Sequence, residues 1–201
     1  MDVSIILLTY NSQDTISECL DNINLSILFS QLNCELIVID ANSTDNTINI
    51  IKKKILRCEL INIDHQNRSK SFNLGAKKAN GKYLCRVDSR ALIPNNYIHE
   101  CYSFLINNKD YFNVGGKMLP KNRNLKIQAL YQNTISFGNA DFRKSNEDKD
   151  VESVYLGFFS RRDFLNLKGY DEKSGFINEE TDLNYRSIKK NYKIRLLSDL
   201  K

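Results

Sequence analysis

The chain has 201 residues, 41% hydrophobic and 26% charged, which allows one domain with a substantial core. No apolar run is long enough to span a bilayer, and the short Val3–Leu8 run lacks the basic lead-in and cleavage site of a signal peptide, so neither is expected. The net charge of +5 fits attraction to phosphates or an anionic surface, but basic residues are dispersed among acidic ones and make no nucleic-acid face.

Val3–Leu8 reads as a buried strand. Asn11 or Ser12 then caps a helix whose inward stripe is Ile16, Leu20, Ile23 and Ile27. Glu35–Asp40, with Leu36-Ile37-Val38-Ile39, is a second buried strand. Asn42-Ser43-Thr44-Asp45 breaks it and caps a helix carrying Ile48, Ile51 and Ile55. Glu59–Asp64 alternates as a third strand. Ser69–Ala79 fits a helix with Phe72, Ala76 and Ala79 inward, ended by Asn80-Gly81. Tyr83–Asp88 is a fourth strand, and Pro94 opens a helix through about Asn107. Further on, Asn113–Leu119, Ser153–Phe159 and Lys193–Ser198 read as strands, and Arg161–Leu167 and Glu179–Lys190 as helices. Arg143–Asp150 is a charged loop without apolar periodicity.

Continuous apolar strands alternating with helices mean a mainly parallel sheet covered on both faces. Ligands of such sheets bind outside the carboxyl ends of the strands. Thr9-Tyr10-Asn11, Asp40-Ala41-Asn42 and Asp88-Ser89-Arg90 are those ends and are predicted to converge on one cleft. An acidic residue at position 88 suits a metal or a phosphate-bearing ligand. Glu179-Glu180-Thr181-Asp182 puts three carboxylates at the start of a helix, where the dipole favours negative charge. One of them facing a cleft can act as a general base; the plainer reading is charge complementing the dipole. The five cysteines (Cys19, Cys34, Cys58, Cys85, Cys101) include no CxxC pair and read as reduced thiols, with Cys19 and Cys85 turned inward. His65 and His99 have no partner at metal-ligand spacing.

Val3-Ser4-Ile5-Ile6-Leu7-Leu8-Thr9-Tyr10-Asn11 resembles the opening strand of family 2 glycosyltransferases of the GT-A fold. Leu36–Thr47 resembles their second strand and turn. Asn73-Leu74-Gly75-Ala76 and Gly81–Asp88 are similar to the approach to their acidic motif. Asn113–Gly116, Ser136–Ala140, Val154–Gly157 and Gly169–Glu172 resemble the branch that makes bacterial exopolysaccharides of the succinoglycan type. The likeness covers nearly the whole chain in order.

The resemblance implies a single Rossmann-like GT-A domain over residues 1–201. Its nucleotide-binding half is about 1–110, and its acceptor-binding half, about 111–201, stops short of a membrane-contacting segment usual in that branch. Leu8, Thr9, Tyr10 and Asn11 would line the nucleoside pocket. Asp40 would contact the base, although its usual second aspartate is Ala41; Arg68, in the loop before the third helix, would face the base or diphosphate. Asp88 would hold a Mg or Mn ion on the donor diphosphate, but Arg90 replaces the usual second aspartate; it cannot ligate a cation and can pair with a phosphate. Glu180, where an aspartate is usual, would be the catalytic base, with Glu179 and Asp182 as alternates.

The expected activity is inverting transfer of a sugar from a nucleotide diphosphate, most simply a UDP-sugar. The acceptor would be a hydroxyl of a saccharide or lipid-linked saccharide, in polysaccharide biosynthesis. The expected place is the cytoplasm, with peripheral contact to the inner membrane face as an extension. Two alternatives are a non-catalytic saccharide- or nucleotide-binding module and a sugar nucleotidyltransferase. The second lacks support from any glycine-rich, lysine-bearing loop after the first strand.

Overall fold

The computed structural model describes residues 1–55, 57–117, 147–173 and 179–200. Strand and helix alternate as β1 (Val3–Thr9), α1 (Ile16–Ser30), β2 (Cys34–Asp40), α2 (Thr47–Lys54), β3 (Glu59–Asn62), α3 (Arg68–Lys78), β4 (Tyr83–Asp88) and α4 (Tyr97–Asn107). They are followed by β5 (Tyr111–Gly116), β6 (Lys149–Asp150), β7 (Phe158–Ser160), α5 (Arg161–Asn166), α6 (Glu179–Ile188) and β8 (Lys193–Leu197). These strands join in one sheet in the order β3-β2-β1-β4-β7-β5-β8-β6. Pairing is parallel from β3 through β2 and β1 to β4, and between β5 and β8. β7 runs antiparallel between β4 and β5, and β6 is antiparallel to β8. The sheet is thus mixed and mainly parallel, as expected.

The period-2 alternation of each strand sorts its side chains onto two faces. Val3, Ile5, Leu7, Leu36, Val38, Cys85 and Val87 meet Ile16, Cys19, Leu20 and Ile23 of α1, Ile51 of α2, and Ile98 and Cys101 of α4. The other set, Ile6, Leu8, Ile37, Ile39, Leu84, Phe112 and Phe159, meets Phe72 and Ala76 of α3, Phe164 of α5 and Leu183 of α6. Phe72 lies 5.2–6.2 Å, ring centre to ring centre, from Phe159, Phe164 and Tyr170. The second core is therefore aromatic where it approaches the end of β4.

Several boundaries depart from the sequence reading. The cap of α1 is Thr15, without a side-chain bond, because Asn11 and Ser12 spend their side chains on other loops. Arg68 is the first residue of α3, with Asn67 as the cap accepting from Lys70 N, so it is not a loop residue. β3 ends at Asn62. Lys149–Asp150 pair with β8 where an unstructured loop was expected; residues 143–146 of that loop, 118–119 of the expected strand and the Ser136–Ala140 segment lie outside the described residues. β7 is confined to Phe158–Ser160. The residues before it turn instead: Leu156 and Gly157 both have positive φ, +65° and +91°.

The junction between α3 and β4 fits closely against β1. Gly81 N donates to Ser4 Oγ at 2.8 Å, and a Cβ on Gly81 would stand 2.5 Å from Ser4 N. Because the obstacle is backbone, Gly81→Ala is expected to cost about 1–3 kcal/mol. Urea unfolding is the measurement; stability within about 0.5 kcal/mol of the parent would show that this contact yields.

Candidate active site

Register brings the predicted strand ends together, since Thr9 pairs with Asp40 and Leu8 with Asp88. The loops beyond them are stitched side chain to backbone. Asn11 N donates to Ser43 Oγ at 2.9 Å, and Asn11 Oδ1 accepts from Thr44 N at 2.8 Å. Ser12 N donates to Thr47 Oγ1 at 2.7 Å, and the Ser12 and Ser89 hydroxyls meet at 2.7 Å. Asp40 is 1% exposed and accepts from Ser43 N and Ser43 Oγ at 2.8 and 2.6 Å. Asn11 and Asn42 sit at φ 43° and 60°, a left-handed region that asparagine tolerates. Asn11 and Asp40 thus build the rim.

Inside that rim is a cavity of about 350 Å³, a size that suits a small ligand. Leu8, Thr9, Tyr10, Ser12, Ile39 and Ala41 line it from β1 and β2. Gln66, Arg68 and Ser71 line it from the start of α3, and Asp88, Ser89 and Arg90 from the end of β4. Tyr155 closes it from the second half of the chain. Asn11 and Asp40 are not among the lining residues. Thr9 Oγ1 is buried with no hydrogen-bond partner among the described residues.

Behind Asp88 lies a residue the sequence reading passed over. Arg86 is 0% exposed, on the β4 face that also carries Leu84 and Asp88. Its Nε and Nη2 donate to the two oxygens of Asp88 at 3.0 and 3.3 Å, and Nη2 also donates to Glu179 Oε1 at 3.1 Å. Nη1 stands 2.8 Å from Glu180 Oε1, a contact of opposite charges without hydrogen-bond alignment. The guanidinium lies 5.4 Å from the centre of the Tyr170 ring and 6.0 Å from that of Phe72. Burial works against its charge, but Asp88 and Glu180 more than offset this and keep Arg86 ionised. Arg68 adds a second cation, with Nη1 3.8 Å from Asp88 Oδ2 and Nε 3.4 Å from Glu179 Oε1.

The candidate acids are thereby separated. Glu179 is 1% exposed and held by Arg86. Glu180 is mostly buried; burial raises its pKa, Arg86 opposes this, and Glu179 adds to the rise. Asp182 belongs elsewhere: it accepts from Arg186 Nε and Nη2 at 2.9 and 2.6 Å, while Arg186 also donates to the carbonyls of Leu167 and Gly169. Asp88 and Glu180 are joined through one guanidinium, although only Asp88 lines the cavity. A buried amide chain anchors this arrangement. Asn113 Nδ2 donates to Asn184 Oδ1, and Asn184 Nδ2 to Ser153 Oγ, each at 3.0 Å. Asn113 Oδ1 accepts from Phe158 N at 3.1 Å. Tyr155 is presented by a γ-turn in which Gly157 N donates to its carbonyl at 2.8 Å. Its phenol is pushed up to about 12 by burial and by Asp88.

The described residues do not by themselves make a cation site. Among the described residues no group of three His, Cys, Asp or Glu side chains stands close enough to hold a metal. Asp88, the expected ligand, has both oxygens on Arg86. Two arginines, Arg68 and Arg90, share the cavity wall with it.

The Glycosyl transferase family 2 model matches residues 4–167, from β1 through α5. Over 132 residues the chain is 30% identical to the poly(ribitol-phosphate) beta-glucosyltransferase of Bacillus spizizenii, a stretch that is 60% of this chain and 21% of that protein. The fold is similar to that of S. aureus TarS 1-349 in complex with UDP-GlcNAc, with TM-score 0.71 and 19% identity over 99% of this chain and 56% of that one. It is also similar to mannosyltransferase PcManGT from Pyrobaculum calidifontis in complex with GDP-Man and Mn2+, with TM-score 0.75 and 19% identity over 98% of this chain and 55% of that one. The chain spans about a fifth of the curated relative and just over half of these solved chains. At such identities the solved structures speak to fold alone, and the fold is the GT-A architecture the sequence resemblance implied.

Arg86 is the most exacting residue of the site. Replacing it by methionine fills similar space but leaves Glu179 buried with Arg68 alone near it. Arg86→Met is expected to cost about 3–5 kcal/mol, as for other broken buried ion pairs. Chemical denaturation measures it, and a loss below about 1 kcal/mol would mean that the carboxylates relax into water without it.

Proposed function

The chain belongs to glycosyl transferase family 2, and from that membership we propose that it transfers a sugar, with inversion, from a nucleoside-diphosphate donor to a hydroxyl of a saccharide or lipid-linked saccharide. One observation carries the reading: a single buried arginine contacts both Asp88, on the wall of the cavity, and Glu180 behind it. UDP is the preferred donor nucleotide, a choice supported by relatives solved with UDP and UDP-GlcNAc. A relative named for glucosyl transfer to poly(ribitol phosphate) favours a hexose and a polymeric acceptor of the cell envelope or an exopolysaccharide. In this reading residues 1–201 form one GT-A domain, with a nucleotide half to about residue 110 and an acceptor half beyond it. Among the described residues no helix is long and apolar enough to cross a membrane; the proposed place of action is the inner membrane face.

In the proposed chemistry Leu8, Thr9 and Tyr10 line the nucleoside-diphosphate site, and Asn11 and Asp40 shape the rim that holds them. Asp88, held by Arg86, sets the limit of the diphosphate region, and Arg68 and Arg90 face it. The acceptor oxygen attacks the anomeric carbon as the bond from that carbon to the phosphate oxygen breaks. The nucleoside diphosphate leaves with the electron pair. Glu180 takes the acceptor's proton. Its raised pKa, set by burial against the opposing charge of Arg86, makes it a better base than a solvated glutamate. Glu179, bonded to the same guanidinium, serves to position that pair.

Glu180→Gln keeps the shape and removes the base. It is expected to lower kcat by about 10²–10⁴ while UDP binding, followed by calorimetry, stays within about twofold of the parent. Asp88→Ala is expected to lose donor binding or turnover. Parental rates from both variants would remove the site assignment.

The pH dependence has a definite sign. Glu180 must be ionised to accept a proton, and its pKa is raised by burial and by Glu179, with Asp88 a further negative neighbour and Arg86 the opposing cation. The acid limb of kcat/KM is therefore expected above the ordinary glutamate value of about 4.3. In Arg86→Lys, a cation that cannot span the carboxylates, the limb moves further up. A limb at the ordinary value would exclude Glu180 as the base.

A further inference from the structure

Resting on the reading of the cavity as a nucleoside-diphosphate site, we infer that the diphosphate is neutralised by Arg68, Arg90 and the start of α3, and that donor binding needs no divalent cation. Three independent features carry this. The first is the state of Asp88, the one carboxylate on the cavity wall among the described residues. Both its oxygens accept from Arg86 at 3.0 and 3.3 Å, and Arg68 stands 3.8 Å from the second. A divalent ion would have to displace a fully buried guanidinium from its partner, or sit beside it with like charge.

The second feature is the cationic wall. Arg68 and Arg90 both line the cavity. The Arg68 side chain is 44% exposed while it stands near Asp88 and Glu179, and it lines the cavity that a phosphate would enter. Arg90 follows Asp88 by two residues, is exposed, and takes part in no ion pair among the described residues. Guanidinium groups bind phosphate oxygens in pairs and hold their charge at any working pH.

The third feature is the backbone. Gln66, Arg68 and Ser71 place the first turn of α3 on the cavity, and the positive end of a helix attracts phosphate. Thr9 Oγ1, almost fully buried and with no partner among the described residues, lies on the same cavity. These groups supply the positive charge and the hydrogen bonds that a metal and its waters would otherwise bring to a diphosphate.

Calorimetric titration of the whole chain with UDP and with GDP tests this, once in EDTA and once with Mn2+. Binding of at least one nucleotide with the same affinity in both media, weakened about 10-fold or more by Arg90→Ala, is the expected result. Arg90 is exposed, and the circular-dichroism melt of Arg90→Ala should match the parent. Binding that appears only with Mn2+ would overturn the inference and leave the proposed transferase standing. Equal affinity for the parent and Arg90→Ala would also overturn it. No binding of either nucleotide in either medium would refute the nucleotide-site reading itself, and the inference with it.

Discussion

The interaction on which this site depends is the ion cluster around Arg86. A fully buried guanidinium is tolerated only when most of its donors are met by charge, and here Asp88, Glu179 and Glu180 meet it from two separate elements. Asp88 comes from the end of a strand in the first half of the chain. The glutamates come from the first turn of α6, nearly a hundred residues later. One side chain therefore ties the donor side of the cavity to the proposed base. The link between them is made by hydrogen bonds to Asp88 and by a contact of opposite charges with Glu180.

The rest of the fold can be read as what this cluster needs. Arg86 must sit on the face of β4 that α3, α5 and α6 cover, and the alternation of β4 puts it there beside Leu84. Phe72 and Tyr170 then close over the guanidinium, shielding its charges from water and strengthening them. Helix α6 is held at the right height by the Asn113–Asn184–Ser153 amide chain. Asn73 pins the segment before it, donating to Tyr170 O and accepting from Tyr170 N, both at 2.9 Å. The antiparallel insertion of β7 between β4 and β5 brings Tyr155 back across the sheet to the cavity.

The repeating half of the chain was legible because its strands are buried on both sides and its helices carry one apolar stripe. Both patterns follow from a single physical demand, the burial of two sheet faces. The strand ends were legible for the same reason, and Thr9, Asp40 and Asp88 do meet at one edge. The turn at Tyr155–Gly157 was not, since Val154-Tyr155-Leu156 has the composition of a strand and only the positive φ of Leu156 reveals otherwise. The roles of Asn11 and Asp40 as rim builders were hidden too, because a polar side chain at a strand end suits a ligand or a neighbouring loop equally. Arg86 had a signal that was available. An arginine inside an otherwise apolar strand of a covered sheet cannot reach water, so it must find carboxylates, and Asp88 two residues on lies on the same face.

That signal also bears on why the cluster exists. Replacing a buried ion network wholly by apolar groups of similar volume is often neutral or stabilising. The surroundings of Arg86, an aromatic group of Phe72, Phe159, Phe164 and Tyr170, would accept an apolar residue readily. The fold thus has little need of the charges for its own stability. What the charges supply is mutual positioning in a region of low dielectric, where interactions with a ligand are stronger than in water. Three carboxylates on one buried guanidinium are a poor way to hold a sheet together. They are a good way to hold Asp88, on the cavity wall, in register with Glu180, and that is the structural argument for the proposed site.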